Sequence, residues 1–445
     1  MKTTTACIGC ACLLATLTAN HVRAQAPGDQ DYVTQEQYDA LRRDFEQLKA
    51  EMRADQRSDR RDQEATPYRQ GEVDEPSWLD LERARLRMDV LEASMEESKA
   101  GLSNFMVTGF AFTRFSNAER MDSSFKAQFV PLFLWRPTER LLFQAEVEFG
   151  LNGQGETEVE LEYAEASYLI NDYLALGAGK FLTPFGLFGE RLHPAWINKF
   201  PDMPLIYGHD GIAPFTSLGV YARGGVPLGT TMFNYAVYLS NGGTLNTGDD
   251  EPDEAGMLHF ENFSDLNNNK AVGGRVGFLP IPEVEVGFSF NWGKVNPSGS
   301  EVGDVDAFIW GFDVTYVQEC DFLAGLFDVR FEFARSEVDD TVFDPTGGSF
   351  GPLIFKNNRD GFYAQIAYRP TKSDIEFLRD FEFVGRYDYL NLPAGAPEEN
   401  DHERWSLGVN YWLNPSTVLK FTYEHLNVDE EPDTDVFLAM FAIGF

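Results

Sequence analysis

RLLFQAEVEFG, residues 140–150, alternates apolar and polar side chains along its length. Successive residues of an extended chain point in opposite directions, so the two kinds of side chain fall on opposite faces. The apolar face holds Leu141, Phe143, Ala145, Val147 and Phe149, and the polar face holds Gln144, Glu146 and Glu148. The stretch therefore predicts a β-strand with one apolar side and one side that faces water.

The same pattern recurs along the chain. Clear examples are EVEVGFSFNWG (283–293), HERWSLGVNYWL (402–413) and STVLKFTYEHL (416–426). With the last strand and the other alternating runs, the count is roughly sixteen, an even number as bacterial barrels require. The other runs begin near Phe105, Phe125, Val159, Tyr173, Leu218, Met232, Ala271, Val305, Leu323, Gly361 and Phe381. We predict an all-β fold, a transmembrane antiparallel β-barrel of about 16 strands over residues 103–445.

The composition agrees with a barrel and excludes other classes of protein. Aromatic residues make up 14% of the chain, yet only 43% is hydrophobic and the mean hydropathy is −0.30. These values suit strands in which every second residue faces lipid and the others face water. No apolar run of about 18 residues occurs, so no transmembrane helix is expected. The formal net charge of −35 argues against binding to nucleic acid, which needs clustered positive charge.

Residues 1–24 have the pattern of a secretory signal peptide. The apolar core ACIGCACLLATL (6–17) follows a charged start, and small residues place the cleavage before Gln25. A lipoprotein site at Cys10 is the alternative, but almost no apolar segment precedes that cysteine. The mature chain would keep only Cys320, which excludes an internal disulfide. Export fits a protein of the outer membrane of a Gram-negative-type bacterium.

Residues 25–102 predict a periplasmic helical segment followed by a linker and a second helical stretch. Apolar side chains near its start follow the three-and-four spacing of a coiled-coil seam, and charged residues surround them. The seam consists of Tyr38, Leu41, Phe45, Leu48 and Met52. A helix of about two heptads is marginal on its own, so we expect it within an oligomer. A charged spacer without stable structure is the alternative.

The chain ends in an apolar alternating strand, DVFLAMFAIGF (435–445). Phe441, Ile443 and Phe445 fall on one face, counted back from the terminal residue. An apolar last strand that closes on Phe is the known signature of bacterial outer-membrane barrels, so these residues are a candidate signal for the barrel assembly machinery. A soluble β-sandwich or lipocalin-like chain is the alternative, and it would not favour so many aromatic residues on one outer face.

The least strand-like part of the barrel region is GKFLTPFGLFGERLHPAWINKFPDMPLIYGHDGIAPF (179–215), which contains five prolines. In its TPFG and HPA segments the chain resembles the phosphate-selective porin O and P family. The resemblance extends over most of the chain, from about Tyr32 to Phe445. It implies a sixteen-stranded barrel, a trimer and a loop that folds into the pore.

The inward face departs from that family, whose phosphate-selective members line the pore with a ladder of Arg and Lys. If the apolar face of each strand faces lipid, the inward carboxylates outnumber the inward bases about two to one, and such a wall should repel multivalent anions. The predicted inward acids are Glu146, Glu148, Glu158, Glu160, Glu162, Glu283, Glu285, Asp313, Asp328, Glu332, Glu382, Asp388 and Glu424, and the bases are Arg275, Arg330, Arg369, Arg386, Arg404 and Lys420.

The segment with five prolines carries its own bases. Lys180, Arg191, His193 and Lys199 are candidate residues of the pore constriction, opposed by Glu190 and Asp202. If the bases project into the constriction, a weak anion preference should survive the acidic wall. If they pair with wall carboxylates and only brace the loop, the pore should prefer cations.

These features predict an outer-membrane porin for passive diffusion of small hydrophilic solutes or ions, with anions such as phosphate as one option. The alternative is a structural barrel that anchors a periplasmic coiled coil and transports little. No enzyme is expected, because G-x-S-x-G, H-E-x-x-H and a phosphate-binding G-K-[ST] loop are all missing. No cofactor or metal is predicted. The expected partners are outer-membrane lipid, the barrel assembly machinery, the diffusing solutes and two further copies of the chain in a homotrimer.

Overall fold

The computed structural model describes residues 104–151, 155–208, 211–248, 252–260, 267–299, 304–343, 352–429 and 432–445. The predicted signal peptide (1–24) and the predicted periplasmic coiled-coil segment (25–102) lie outside the described residues, so both stay predictions. The predicted domain boundary near residue 103 stays a prediction as well.

Sixteen antiparallel strands form a closed barrel, which confirms the predicted fold and strand number. Each strand pairs with its neighbours in the chain from β1 to β7 and from β10 to β18, β7 pairs with β10, and β18 pairs back with β1. Strands β8 and β9 form a separate two-stranded ribbon. The bounds are β1 (Phe105–Ala118), β2 (Ser124–Trp135), β3 (Leu141–Leu151), β4 (Thr157–Asn171), β5 (Leu174–Leu182), β6 (Thr216–Leu228), β7 (Thr231–Ser240), β8 (Thr244–Leu245), β9 (Leu258–His259), β10 (Ala271–Ile281), β11 (Val284–Lys294), β12 (Asp306–Cys320), β13 (Gly325–Val338), β14 (Asn358–Arg369), β15 (Phe381–Asn391), β16 (His402–Asn414), β17 (Thr417–Val428) and β18 (Thr434–Gly444).

Helical structure is sparse in the described part of the chain. One turn of α-helix, α1, spans Phe188–Arg191. Short 3₁₀ helices span Leu205–Tyr207, Pro252–Glu254 and Glu376–Asp380. None of these described helices has the length and apolar character needed to cross a membrane.

The last strand closes the barrel, with its aromatic side chains on the outside. Phe437 and Phe441 are exposed on the outer face, whereas Leu438 and Met440 between them are buried on the inner face. The backbone N–H of Phe445 donates to the carbonyl of Gly109 on β1 at 3.0 Å, and its carbonyl accepts from the N–H of the same residue at 3.1 Å. The terminal residue therefore takes part in the β1–β18 closure itself.

A β-bulge changes the inward register between β3 and β4. Glu148 lies opposite Glu160, but Glu146 lies opposite Tyr163 because the pairing shifts by one residue. Beyond the bulge, the inward positions of β4 are therefore Tyr163 and Glu165, which a strict period of two does not predict.

The barrel has short turns at one end and most of its long loops at the other. At the long-loop end, Leu245, Val295, Val305, Phe343 and Phe355 belong to one packed apolar cluster. The rings of Phe343 and Phe355 stack with their centroids 4.4 Å apart. The connections 119–123, 152–156 and 429–433 at the same end are short. Packed loops thus lie at the ends of β7 and β10–β16, while short connections join the strands from β17 round to β4.

Candidate functional site

The segment between β5 and β6 forms a loop that lies inside the barrel. At its base the N–H of Thr183 donates to the carbonyl of Phe215 at 2.8 Å, and the hydroxyls of Thr183 and Ser217 are 2.8 Å apart. Five prolines in and next to the loop remove strand donors and fix backbone angles, which explains why no barrel strand forms here. The loop contacts strands from both halves of the barrel.

Apolar packing joins the loop to β12–β15. Phe185, Phe188 and Ile206 of the loop pack in one cluster with Ile309 and Leu390 of the wall, and all five side chains are buried. Burying a side chain of this size contributes about 1.5–3 kcal/mol relative to leaving it in water. This cluster therefore supplies much of the energy that keeps the loop inside.

Glu332 on β13 fastens the same part of the loop through hydrogen bonds. Its carboxylate accepts from the backbone N–H of Leu187 at 3.0 Å, from the hydroxyl of Tyr207 at 2.8 Å and from the hydroxyl of Tyr363 at 2.5 Å. Gly186 precedes this contact with a φ of 62°, a left-handed conformation that favours glycine. The buried acid thus acts as a hydrogen-bond acceptor for the loop.

Four polar side chains of β15–β17 form what we call the carbonyl clamp. Each of them donates to main-chain oxygens of the loop between residues 195 and 203. Arg386 donates to the carbonyl of Asp202 at 3.1 Å, and Arg404 donates to the carbonyl of Met203 at 2.5 Å. Asn410 donates to the carbonyl of Lys199 at 3.0 Å. Lys420 donates to the carbonyl of Ala195 at 2.6 Å and also to the carbonyl of Asn198. The three bases of the clamp, Arg386, Arg404 and Lys420, are therefore turned onto the loop.

Three of the four candidate constriction bases lie on the loop, and each has a carboxylate partner on the wall. Arg191 pairs with Glu285 at 2.8 Å. Lys199 pairs with Glu382 at 2.5 Å, and a second carboxylate, that of Asp328, lies 3.9 Å away. These contacts have the geometry of a brace between loop and wall.

The other two candidates differ in their surroundings. Lys180 lies on β5, before the loop begins, and its Nζ donates to the carbonyl of Leu161 on β4 at 2.9 Å. The structure therefore does not place Lys180 on the same segment as the other three. His193 lies on the loop, and its Nε2 is 3.3 Å from Glu146 on β3.

Arg114 and Arg223 are two of the inward bases that the sequence analysis missed, and both bind the loop. Arg114 on β1 pairs with Asp202 of the loop, and Arg223 on β6 pairs with Glu190 at 3.0 Å. Around Arg114 both faces of the strand carry aromatic side chains, so alternation alone does not tell inside from outside. The opposite charges on the loop segment were the available signal.

Carboxylates of β3 and β4 form what we call the acidic stripe: Glu148, Glu158, Glu160 and Glu162. Glu158 and Glu160 are exposed, and neither takes part in any ion pair among the described residues. Glu148 is half-buried and accepts a hydrogen bond from Gln128. By contrast, the predicted inward charges on β10–β17 are mostly buried beneath the loop, as Arg275, Asp313, Glu332, Asp388, Lys420 and Glu424 show.

No protein-family model matches the sequence, and no curated protein matches it. Among solved structures, OmpF of Salmonella typhi, in complex with daunomycin, aligns over 77% of this chain and 97% of its own with a TM-score of 0.51 and 12% identity. OprB of Pseudomonas putida, in its high-pH structure, aligns over 77% of this chain and 94% of its own with a TM-score of 0.51 and 8% identity.

The chain has the fold of the outer-membrane porins. Identities this low show the porin fold alone. Neither structure is described as phosphate-selective, so the resemblance to the phosphate-selective porin O and P family stays a prediction. In the described part of this porin fold, no group of His, Cys, Asp and Glu has the arrangement of a metal site.

Proposed function

We propose that the chain is an outer-membrane porin through which small hydrophilic solutes and ions diffuse passively, with a preference for cations. Its apolar outer face fits lipid, and the interior of the barrel carries charged side chains. The acidic stripe carries this proposal. Its exposed carboxylates lie inside a closed barrel, beside a loop whose own bases already have wall partners.

The preference for cations follows from which charged side chains inside the barrel lack a partner of opposite charge among the described residues. Arg191 and Lys199 are neutralised by Glu285 and Glu382, and the carbonyl clamp occupies three further bases. Ions respond to charges within about 8–10 Å at physiological ionic strength. The four carboxylates of the acidic stripe outnumber the exposed inward base beside them, Lys126 on β2, and they outweigh the paired groups. A pore lined in this way should admit cations and exclude multivalent anions such as phosphate.

The test is single-channel conductance with reversal potentials in a KCl gradient. We expect the native protein to conduct with a cation preference, and the double variant Glu158→Gln with Glu160→Gln to lose much of it. Glu337→Gln is the matched control, because Glu337 is exposed at the outer face of β13 and pairs with Arg335 at 2.8 Å. The control should behave like the native channel.

Two results would contradict the proposal. A strong anion preference that disappears in Arg191→Glu with Lys199→Glu would mean that these bases control the constriction and would restore the anion-selective function. A barrel without any steady current would favour the structural anchor for a periplasmic coiled coil. A homotrimer, recognition of Phe441, Ile443 and Phe445 by the barrel assembly machinery, and a periplasmic N-terminal segment complete the proposal.

A further inference from the structure

The loop is held unequally on its two sides. Toward β11–β17 it is fixed by the apolar cluster, by Glu332 and by the carbonyl clamp. Toward β1–β6, three ion pairs join it to the wall within the part of the chain that the structure describes. These are Arg114–Asp202, Arg223–Glu190 and His193–Glu146. Among the described residues, the contact between His193 and Glu146 is the one ion pair that joins the loop to β3.

His193 differs from the two arginines because it can lose its charge near neutral pH. Its Nδ1 lies 2.6 Å from the carbonyl of Gly189, and its Nε2 lies 3.3 Å from a carboxylate oxygen of Glu146. A carbonyl and an ionised carboxylate only accept hydrogen bonds, so these two neighbours fit an imidazolium, which donates from both ring nitrogens.

The surroundings favour the charged ring. Burial opposes the charge, but the hydrogen bond and the charge of Glu146 outweigh burial and raise the pKa of His193 above its ordinary value. The ring of Phe215 packs edge-on against the imidazole, with the centroids 5.7 Å apart. The titratable and charged groups around the pair are Glu146 and Glu148 on β3, Glu160, Glu162 and Tyr163 on β4, Lys180 on β5, and Lys126 on β2 beside Glu148. Carboxylates predominate, so a neutral ring would leave Glu146 among like charges.

We propose that His193 is a pH-operated latch, whose protonated ring holds the loop against β3 and whose loss of a proton opens the passage beside the acidic stripe. This inference rests on the proposed function, since it assigns the control of diffusion to one contact. Because the proton is held more tightly than in free histidine, the latch is intact below about pH 6.5 and is lost as the pH rises through the higher pKa. Conductance and cation preference should therefore rise together with pH.

The experiment compares bilayer conductance of the native protein, His193→Gln and His193→Lys from about pH 5 to about pH 9. Losing one charge-assisted hydrogen bond shifts the ratio of open to closed channels roughly tenfold or more. The native channel should show this increase with pH. His193→Gln should be open, and His193→Lys shut, across the whole range. Arg223→Gln is the matched control, since it removes a near-wall pair that does not titrate and should add no pH-dependent step of its own.

A second measurement keeps the latch and the proposed function apart. Histidine-ring NMR of the full chain should show a raised pKa for the resonance that His193→Gln removes, and that pKa should fall in Glu146→Gln. A native conductance that does not change with pH, or that changes equally in His193→Gln, would overturn the latch. An absence of current from every variant would overturn the proposed function. If no variant conducts, the NMR measurement still tests the contact between His193 and Glu146. A His193 that titrates like an exposed histidine would then overturn the latch as well. A raised pKa of His193 that falls in Glu146→Gln would support the contact.

Discussion

Replacing Lys420 by Met should loosen the loop at residues 195–198 while the barrel stays folded. The Lys420 side chain is fully buried, and its Nζ donates to the carbonyls of Ala195 and Asn198. A buried acceptor that loses its donor costs about 1–3 kcal/mol, so two of them cost about 2–6 kcal/mol. Removing a buried ammonium also removes its desolvation penalty, which offsets part of that cost. We expect a net loss of about 1–4 kcal/mol in the attachment of the loop.

The effect of Lys420→Met is measured by the frequency of closures in single-channel records and by the temperature at which the barrel unfolds on heat-modifiability gels. Loosening should give frequent transitions between conductance levels, with only a small decrease in unfolding temperature, because the strand pairing is untouched. Lys126→Met is the matched control, since Lys126 is an exposed lysine on β2 that lies opposite the inward Arg114. If the two variants gave the same records, the carbonyl clamp would not hold the loop as we argue.

Two further predictions concern assembly. Deleting Phe445 should reduce the amount of folded, heat-modifiable protein in the outer membrane. The deletion removes both main-chain hydrogen bonds to Gly109 and the stacking on Phe129, whose ring centroid lies 5.6 Å from that of Phe445. Unchanged amounts of folded protein would contradict a role for the terminal residue. Replacing Leu41 and Leu48 by Asp should weaken association of the N-terminal segment and leave the barrel folded, as cross-linking would show, and a native protein that cross-links only as a monomer would argue against the homotrimer.

Most of the barrel could be predicted from its sequence, because each strand has to present an apolar face to lipid. Period-two runs such as residues 140–150 therefore locate the strands, and the terminal Phe445 locates the closing one. The bulge beside Glu146 could not be predicted in this way. It adds one residue to β4 without changing the composition, and it moves Glu165 to the inward face.

The contacts between the loop and the barrel wall could not be predicted from the sequence for a different reason. Arg386, Arg404 and Lys420 were correctly assigned to the inward face, but whether such bases face water or a loop depends on tertiary docking, which a periodic pattern does not contain. The pairing of Arg191 and Lys199 with wall carboxylates was one of two alternatives that the sequence left open. Choosing between them required the distances to Glu285 and Glu382.

The carbonyl clamp has a consequence for how such a pore can change over evolution. Its donors bind main-chain oxygens, and every amino acid supplies the same oxygen at that position. The exposed side chain of Met203, for example, can therefore be exchanged without removing the carbonyl acceptor that holds the loop in place. Substitutions could accumulate in this segment and alter which solutes pass, while the anchoring residues on β15–β17 stay the same. The attachment of the loop and the solute selectivity of the pore could then evolve separately, because they depend on different atoms of the same segment.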